Sequence, residues 1–362
     1  MELKDLLTTI PFYQTESQID DIDITDIEID SRKVSQGNLF ICITGFTVDG
    51  HNFVDQAIEN GAVAILAEKE LHANVPVIVV NDTTRALSML SVHFYGNPTS
   101  SLSLIGVTGT NGKTTVTYLL EKIFNEQKIK TGLIGTIQMK IGDETFQTEN
   151  TTPNALELQR FFKKMNDEEV GQAIMEVSSH ALDLGRVYGC DYDVAVFTNL
   201  SQDHLDYHKD MDDYLRAKSL LFSQLGNSYN QGKQKFAIVN ADDPSFELLI
   251  QSTPQHVLTY GCENNADIEA KDIKINAFGT SFLMKTPIGD VQIKSKLIGK
   301  FNVYNMLAAA GSAIAKGVSL EVIQSALESI NGVNGRFEVL HNRFRTFLFS
   351  TQLNWQVEKL LL

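Results

Sequence analysis

The sequence has almost no cysteine. Cys42, Cys190 and Cys262 are the three in 362 residues, far apart and without a C-x-x-C pair. That excludes a disulfide framework and a cysteine-based zinc module. Two of them sit in or beside apolar runs (ICITG and GCDYDVAVF), as buried thiols do in a reducing cytosol. Positive charge is also in deficit, with 30 Lys and Arg against 45 Asp and Glu and a formal net charge of −15. A surface so acidic is ill suited to nucleic acid or to anionic membrane. Any polyphosphate site must therefore be locally basic or metal-assisted. No apolar run approaches the ~18 residues of a membrane span. The N-terminal MELKDLLTTI carries acids and lacks the apolar stretch of a signal peptide. These absences lead us to expect a cytoplasmic protein. Internal repeats are lacking too.

What is present is enough apolar material, 43% of residues, for the two or three cores that this length calls for. Residues 1 to about 97 read as one α/β unit. Strand-type runs at Asn38–Thr44, Ala62–Leu66 and Pro76–Val80 alternate with helical spacing at Asn52–Asn60 and Asp82–Tyr95, the latter capped by Asp82 or Thr83. GNPTSS, Gly96 to Ser101, is a linker signal. From Leu102 strands and helices alternate again, predicting a mostly parallel sheet with helices on both faces. The strands are expected at Leu102–Val107, Thr131–Ile134, Ala173–Val177, Val194–Phe197 and Phe236–Val239. The helices are expected at Lys113–Gln127, Ala155–Met165, Met211–Leu225 and Asn302–Ala315. Residues 256–300 read as short strands, an antiparallel appendage. The last 22 residues, which hold the single Trp355, do not continue these patterns.

LIGVTGTNGKTTVTYLL, Leu104 to Leu120, runs from a strand through a glycine turn into a helix. In such a loop, backbone N–H groups at a helix N-terminus point at phosphate oxygens, a lysine reaches the outer phosphates, and a hydroxyl holds Mg²⁺. Gly109 and Gly112 are the turn glycines, with Lys113 and Thr114 in the two side-chain roles. The strict spacing puts a first glycine where Val107 stands, one residue from Gly106. Three further clusters follow. Glu176, in MEVSSHALDLGR, falls at a strand's C-terminal end, where open α/β sheets bind ligands. FTNLSQDHLDYH packs Asn199, Asp203, His204, Asp206 and His208 into a loop after another strand. DDYLRAKSLLF, Asp212 to Phe222, is an amphipathic helix with Leu215, Leu221 and Phe222 on its apolar side. Its spacing alone leaves Lys218 a solvated helix lysine.

Together GTNGKTT, EVSSHAL, NLSQDHLDYH, the RAKS segment, GKFNVYN (Gly299 to Asn305) and GRFE (Gly335 to Glu338) resemble the Mur ligase family, ATP-dependent amide-forming enzymes of peptidoglycan synthesis. They occur in the family's order over nearly all of residues 100–338. IDSRKVSQGNLFICITGFTVDGHNF (Ile29 to Phe53) and NTTP (Asn150 to Pro153) point within the family to the enzyme that adds the third peptide residue. The resemblance implies a UDP-binding α/β domain at 1–97, a central P-loop domain with a mostly parallel sheet at 98–334, and at 335–362 the stub of a third, dinucleotide-fold-like domain. It implies that Gly109, Thr110, Asn111, Gly112, Lys113, Thr114 and Thr115 hold ATP, with Asn302 and Asn305 near the adenine. Ser31, His51 and Asn52 would bind the uridine diphosphate. Thr151, Thr152, Ser179 and Arg186 would hold the muramoyl-dipeptide. Thr114 and Glu176 would bind one Mg²⁺, and His204 and Lys218 a second. Lys218 would be carbamylated by CO₂, giving an anion that binds metal. Lys113, His204 and Lys218 are the implied catalytic residues.

The implied substrates are UDP-N-acetylmuramoyl-L-alanyl-D-glutamate and a diamino acid, meso-diaminopimelate favoured over L-lysine. The implied enzyme is a monomer. Family members continue past GRFE into the third domain, with a DYAH-type stretch near the nucleotide and the amino-acid pocket. Neither is present in this sequence. An alternative expectation is thus a truncated chain that binds nucleotide-sugar and ATP with little or no ligase turnover. A folylpolyglutamate synthetase-like ligase shares the central domain, but the first unit disfavours it.

Overall fold

Runs such as AVAILA (Ala62–Ala67) and the FAIV of Phe236–Asn240 are continuously apolar rather than alternating, which is the pattern of strands covered on both faces. The computed structural model describes residues 1–45, 48–229, 233–330, 332, 338–342 and 345–349. The chain folds into two compact units.

The first unit comprises residues 1–102, 153–169 and 180–191. Its four-stranded sheet is parallel, in the order β1 (Asp26–Glu28), β2 (Asn38–Ile41), β3 (Ala62–Ala67), β4 (Val77–Val79). Helices α1 (Leu3–Leu7), α2 (Val54–Glu59) and α3 (Thr83–Phe94) belong to it. Leu3, Leu6, Ile27, Leu39, Leu66, Leu87 and Leu90 form its main core. Asp82 caps α3 by accepting the Arg85 N–H at 2.9 Å. Two segments that a linear boundary at residue 97 leaves in the second domain pack with this unit. In one of them Arg160 donates to Asp26 Oδ2 at 3.1 Å, to Glu28 Oε1 at 3.0 Å and to the Tyr95 hydroxyl at 2.9 Å.

The second unit comprises residues 103–152, 170–179 and 192–362. Its strands are β5 (Leu104–Thr108), β6 (Thr131–Ile134), β7 (Met139–Ile141), β8 (Glu144–Phe146), β9 (Gln172–Glu176), β10 (Val194–Phe197), β11 (Phe236–Asn240), β12 (His256–Gly261), β13 (Ile268–Asn276), β14 (Gly279–Thr286) and β15 (Gly289–Ser295). They make one eleven-stranded sheet, ordered β15-β14-β13-β12-β11-β10-β5-β9-β6-β7-β8. The seven strands from β13 to β6 in that order run parallel, and the hairpins at either end are antiparallel. Residues 256–300 are thus no separate appendage. β12 extends the parallel array, and β13–β15 continue the same sheet. Helix α4 (Lys113–Glu126) buries Val116, Leu119, Leu120, Ile123 and Phe124, the stripe its spacing predicts, in a core shared with α9 (Lys300–Ala315) and α10 (Leu320–Ser329). Between α4 and α9 in sequence lie α5 (Ala155–Asp167), α6 (Ser179–Asp183), α7 (Met211–Ser223) and α8 (Phe246–Gln251). Residues 338–342 and 345–349 pair as an antiparallel hairpin. Gly335, Arg336 and Phe337 of GRFE, and Trp355, lie outside the described residues. Among the described residues no helix is long and apolar enough to cross a membrane.

Gly106, the glycine that breaks the strict loop spacing, has a packing role. A Cβ there would meet Tyr192 Cε1 at 2.7 Å and Leu221 Cδ1 at 3.2 Å. Gly106→Ala should therefore lower stability by about 1–3 kcal/mol, as overpacking does. The check is a chemical denaturation midpoint. An unchanged midpoint would mean the Tyr192 ring yields without cost.

Candidate functional site

β5 delivers the chain to a loop that only glycine can build. Gly109 has φ +139°, and a Cβ on it would lie 1.9 Å from Thr198 Oγ1. Gly112, at the N-cap of α4, has φ +91°, and its Cβ would meet Asn305 Oδ1 at 2.4 Å. The loop is held from outside by the segment after β10. The N–H of Thr110 donates to Asn199 O at 2.8 Å, and the N–H of Asn111 to Asn199 Oδ1 at 3.1 Å. Asn199 Nδ2 returns a bond to Asn111 O at 2.9 Å, and Thr198 Oγ1 donates to the same carbonyl at 2.6 Å. The loop is therefore pre-shaped by FTNLS, a part of the His-rich cluster that sequence spacing alone does not connect to it. Lys113 Nζ donates to the carbonyls of Gly109 and Thr110, both at 2.9 Å, which places its ammonium over the loop at a helix N-terminus. Thr115 is buried on the first turn of α4.

Adjacent strands bring a carboxylate to this loop. Glu176 ends β9, beside β5 and β6, and is 1% exposed. Its Oε2 accepts the Thr114 hydroxyl at 3.1 Å. Thr136, which follows β6, gives Glu176 two bonds: its N–H to Oε1 at 3.0 Å and its hydroxyl to Oε2 at 3.0 Å. Sequence spacing gives no sign of Thr136; the parallel pairing of β6 with β9 is what puts it there. The Thr136 hydroxyl also lies 3.1 Å from that of Thr151. Thr152 Oγ1 donates to the backbone carbonyl of Glu176 at 2.8 Å and accepts the Ser178 N–H at 3.1 Å.

The third part is built on α7. Tyr214, Ala217, Lys218, Leu221 and Phe222 are its buried face, an i, i+3, i+4, i+7, i+8 stripe; Leu215 is only half-buried. Lys218 is thus inside, 1% exposed, its Nζ 4.2 Å from the Tyr214 ring centroid. This corrects the solvated-lysine expectation: the stripe is readable at Tyr214 once a lysine is allowed on it. Burial, reinforced by the charge of Lys113 and partly opposed by Asp203, pushes the Lys218 amine well below the usual lysine range. The Tyr214 hydroxyl lies 3.2 Å from Thr110 Oγ1, tying α7 to the loop. His208 is buried; its Nε2 is 2.9 Å from Ser179 Oγ and its Nδ1 3.4 Å from Asp213 Oδ2. His204 is more exposed, with φ +54° and its ring centroid 5.9 Å from that of Tyr214. Among the described residues no three His, Cys, Asp or Glu side chains are grouped for a metal. Thr114 with Glu176 does offer paired oxygen donors, the chemistry that Mg²⁺ prefers.

Asn302 and Asn305 are buried on α9, linked to each other at 3.3 Å, and Asn305 backs Gly112. In the first unit Ser31 Oγ donates to Gln56 at 2.7 Å. His51 uses both ring nitrogens, Nδ1 2.5 Å from Asp49 Oδ1 and Nε2 accepting the Glu68 N–H at 3.1 Å, while Asn52 beside it is exposed. Arg186 is half-buried in the same unit.

Comparison with known proteins bears on this arrangement. The family model described as "Mur ligase middle domain" matches residues 107–313, and that described as "Mur ligase family, catalytic domain" matches residues 23–95. The UDP-N-acetylmuramoyl-L-alanyl-D-glutamate--2,6-diaminopimelate ligase of Oceanobacillus iheyensis is 62% identical over 340 residues, covering 93% of this chain and 69% of that protein. The ligase of the same name from Bacillus velezensis is 59% identical over 344 residues, 95% of this chain and 70% of that protein. A solved structure of a ligase of that name superimposes with a TM-score of 0.82 at 30% identity, over 95% of this chain and 70% of that one.

Proposed function

The chain belongs to the Mur ligase family, and on that premise we propose that it is an ATP-dependent ligase of peptidoglycan precursor synthesis. It joins 2,6-diaminopimelate to UDP-N-acetylmuramoyl-L-alanyl-D-glutamate. The observation that carries the reading is the convergence of Lys113, Thr114 and Glu176 on one glycine loop at the C-terminal edge of the sheet. The relatives' names supply the substrates.

A carboxylate is a poor electrophile, so the chemistry begins by activating it. The γ-phosphoryl of ATP passes to the γ-carboxylate of the D-glutamyl residue, giving an acyl phosphate. The amine attacks that carbonyl, and phosphate leaves from the tetrahedral intermediate. The loop amides and Lys113 bind the phosphoryl oxygens and offset their charge. Thr114 and Glu176 would hold Mg²⁺, which supplies further charge neutralisation when bound. Thr151, Thr152 and Ser179 orient the muramoyl-dipeptide in the second unit. Ser31, His51, Asn52 and Arg186 are the residues we assign to the uridine diphosphate and muramoyl groups, with His51 acting through the orientation that Asp49 and Glu68 impose on it. Asn305 and Asn302 support the loop from the adenine side. Lys218, whose buried amine is held toward the neutral, nucleophilic form, would carry a carbamate formed with CO₂, and with His204 it would hold a second Mg²⁺, which would supply further charge neutralisation.

The test is calorimetric titration of the chain with UDP-N-acetylmuramoyl-L-alanyl-D-glutamate and with Mg·ATP, followed by an ADP-release assay with diaminopimelate added. Binding of both ligands, and ADP release that requires the muramoyl-dipeptide, are the expected results. A chain that bound ATP and a folate but not the muramoyl-dipeptide would overturn the reading.

A further inference from the structure

We propose that Thr136 is a positioning residue whose hydroxyl couples the nucleotide–metal site to the muramoyl-dipeptide site. The proposal rests on the functional reading above for what Glu176 and Thr151 bind, and goes beyond it in joining them.

The geometry begins with the chain path. β6 runs parallel to β9, with Ile134 opposite Met175, so the two residues after β6 arrive beside the Glu176 carboxylate. The first must be glycine: a Cβ on Gly135 would lie 2.5 Å from Glu176 Oε1. The second, Thr136, then donates its N–H to Oε1 and its hydroxyl to Oε2, each at 3.0 Å. Oε2 accepts the Thr114 hydroxyl as well, at 3.1 Å.

Proton counting fixes the direction of the remaining bond. A hydroxyl has one hydrogen, and a carboxylate only accepts. The Thr136 hydrogen is therefore committed to Glu176. At 3.1 Å from Thr151 Oγ1, the Thr136 oxygen must accept, and Thr151 must donate. Thr151 is thereby left with acceptor capacity only. A divalent cation held by Thr114 and Glu176 would disfavour this order, because its field repels an O–H dipole pointing at the same oxygen. The Thr136 hydrogen turns to Thr151, and the Thr151 hydrogen is released to an acceptor on the ligand. Thr136 is exposed and Thr151 half-buried, so the hydroxyl pair is open to a ligand. The acceptor is a carboxylate oxygen of the muramoyl-dipeptide. Filling one site with metal and nucleotide thus tightens the other, and linkage makes the effect reciprocal.

The test is a pair of titrations with UDP-N-acetylmuramoyl-L-alanyl-D-glutamate, one without nucleotide and one with saturating Mg²⁺ and β,γ-methylene ATP. Wild type should bind at least about 5-fold tighter in the second. Thr136→Val keeps the N–H bond and the shape but removes the hydroxyl, and should bring the ratio close to one. Thr136→Ser should restore it. Thermal midpoints of the two variants separate lost coupling from lost folding, and Thr136→Ser, which keeps both bonds, carries the test if the valine variant is unfolded. A ratio near one in wild type, a retained ratio in Thr136→Val, or a lost ratio in Thr136→Ser would overturn the coupling while leaving the functional reading standing. Failure of wild type to bind the muramoyl-dipeptide at all would instead remove the functional reading, and the coupling with it.

Discussion

Replacing Lys113 by Met should weaken Mg·ATP binding at least tenfold and lower turnover by about 10²–10³-fold, the scale of losing one pre-aimed donor to phosphoryl oxygens. The structure lets this change be read as a loss of charge rather than of fold. Gly109 is fixed by the absence of space beside Thr198, Gly112 by Asn305, and Thr110 and Asn111 by Asn199. None of these constraints involves Lys113. Its own two bonds, to the carbonyls of Gly109 and Thr110, are part-buried, and their loss costs about 1–3 kcal/mol. Affinity for the muramoyl-dipeptide measured without nucleotide should stay within about twofold, since no bond of the Thr136–Thr151–Glu176 chain is touched. Turnover within tenfold of wild type would show that the loop amides and metal alone carry the phosphoryl charge.

The glycine loop, the α4 stripe and the strands at Thr131–Ile134 and Val194–Phe197 are legible in the sequence because each is a local pattern: a turn residue, a 3.6-residue period, a short apolar run. The continuity of the large sheet is not. Residues 256–300 have the alternation and turns of a meander, and only the parallel pairing of β12 with β11, between partners about twenty residues apart, joins them to the rest. The same limit hides Thr136. It lies in an unremarkable Gly-Thr step, and its significance comes from strand order, β9 being inserted between β5 and β6. α5 is readable as a helix, yet its Arg160 pairs with Asp26 and Glu28, more than 130 residues away, so its packing with the first unit cannot be seen locally. Lys218 escapes a local reading for a different reason. Charge is normally a sign of exposure, and that prior outweighs a stripe that Tyr214, Ala217 and Leu221 otherwise make plain.

That stripe leads to the other large effect, which separates stability from function. In CO₂-depleted buffer, Lys218→Met should fold more stably than wild type near neutral pH, and with bicarbonate present it should lack the ligase turnover that wild type shows. Lys218 makes no ion pair among the described residues and lies against the Tyr214 ring. Burial, with Lys113 nearby, holds its amine well below the ordinary 10.5. Between that depressed value and 10.5 the unfolded chain binds more protons at this site than the folded one, so wild-type stability rises with pH through the window. Below the window the buried charge costs its full desolvation penalty; above it the cost is gone. Methionine fills a similar volume without a charge, so its stability curve should lose that slope. Each kcal/mol recovered at neutral pH raises the thermal midpoint by about 2–4 °C. Added bicarbonate should stabilise wild type and not Lys218→Met, because the proposed carbamate would form only on the folded chain. A ¹³C-bicarbonate label should give wild type a carbamate resonance that the variant lacks. Lys113→Met should itself diminish that resonance, since removing the neighbouring positive charge makes the Lys218 amine easier to protonate. A Lys218→Met chain that is less stable than wild type across the pH range and retains turnover would remove both the desolvation argument and the carbamate.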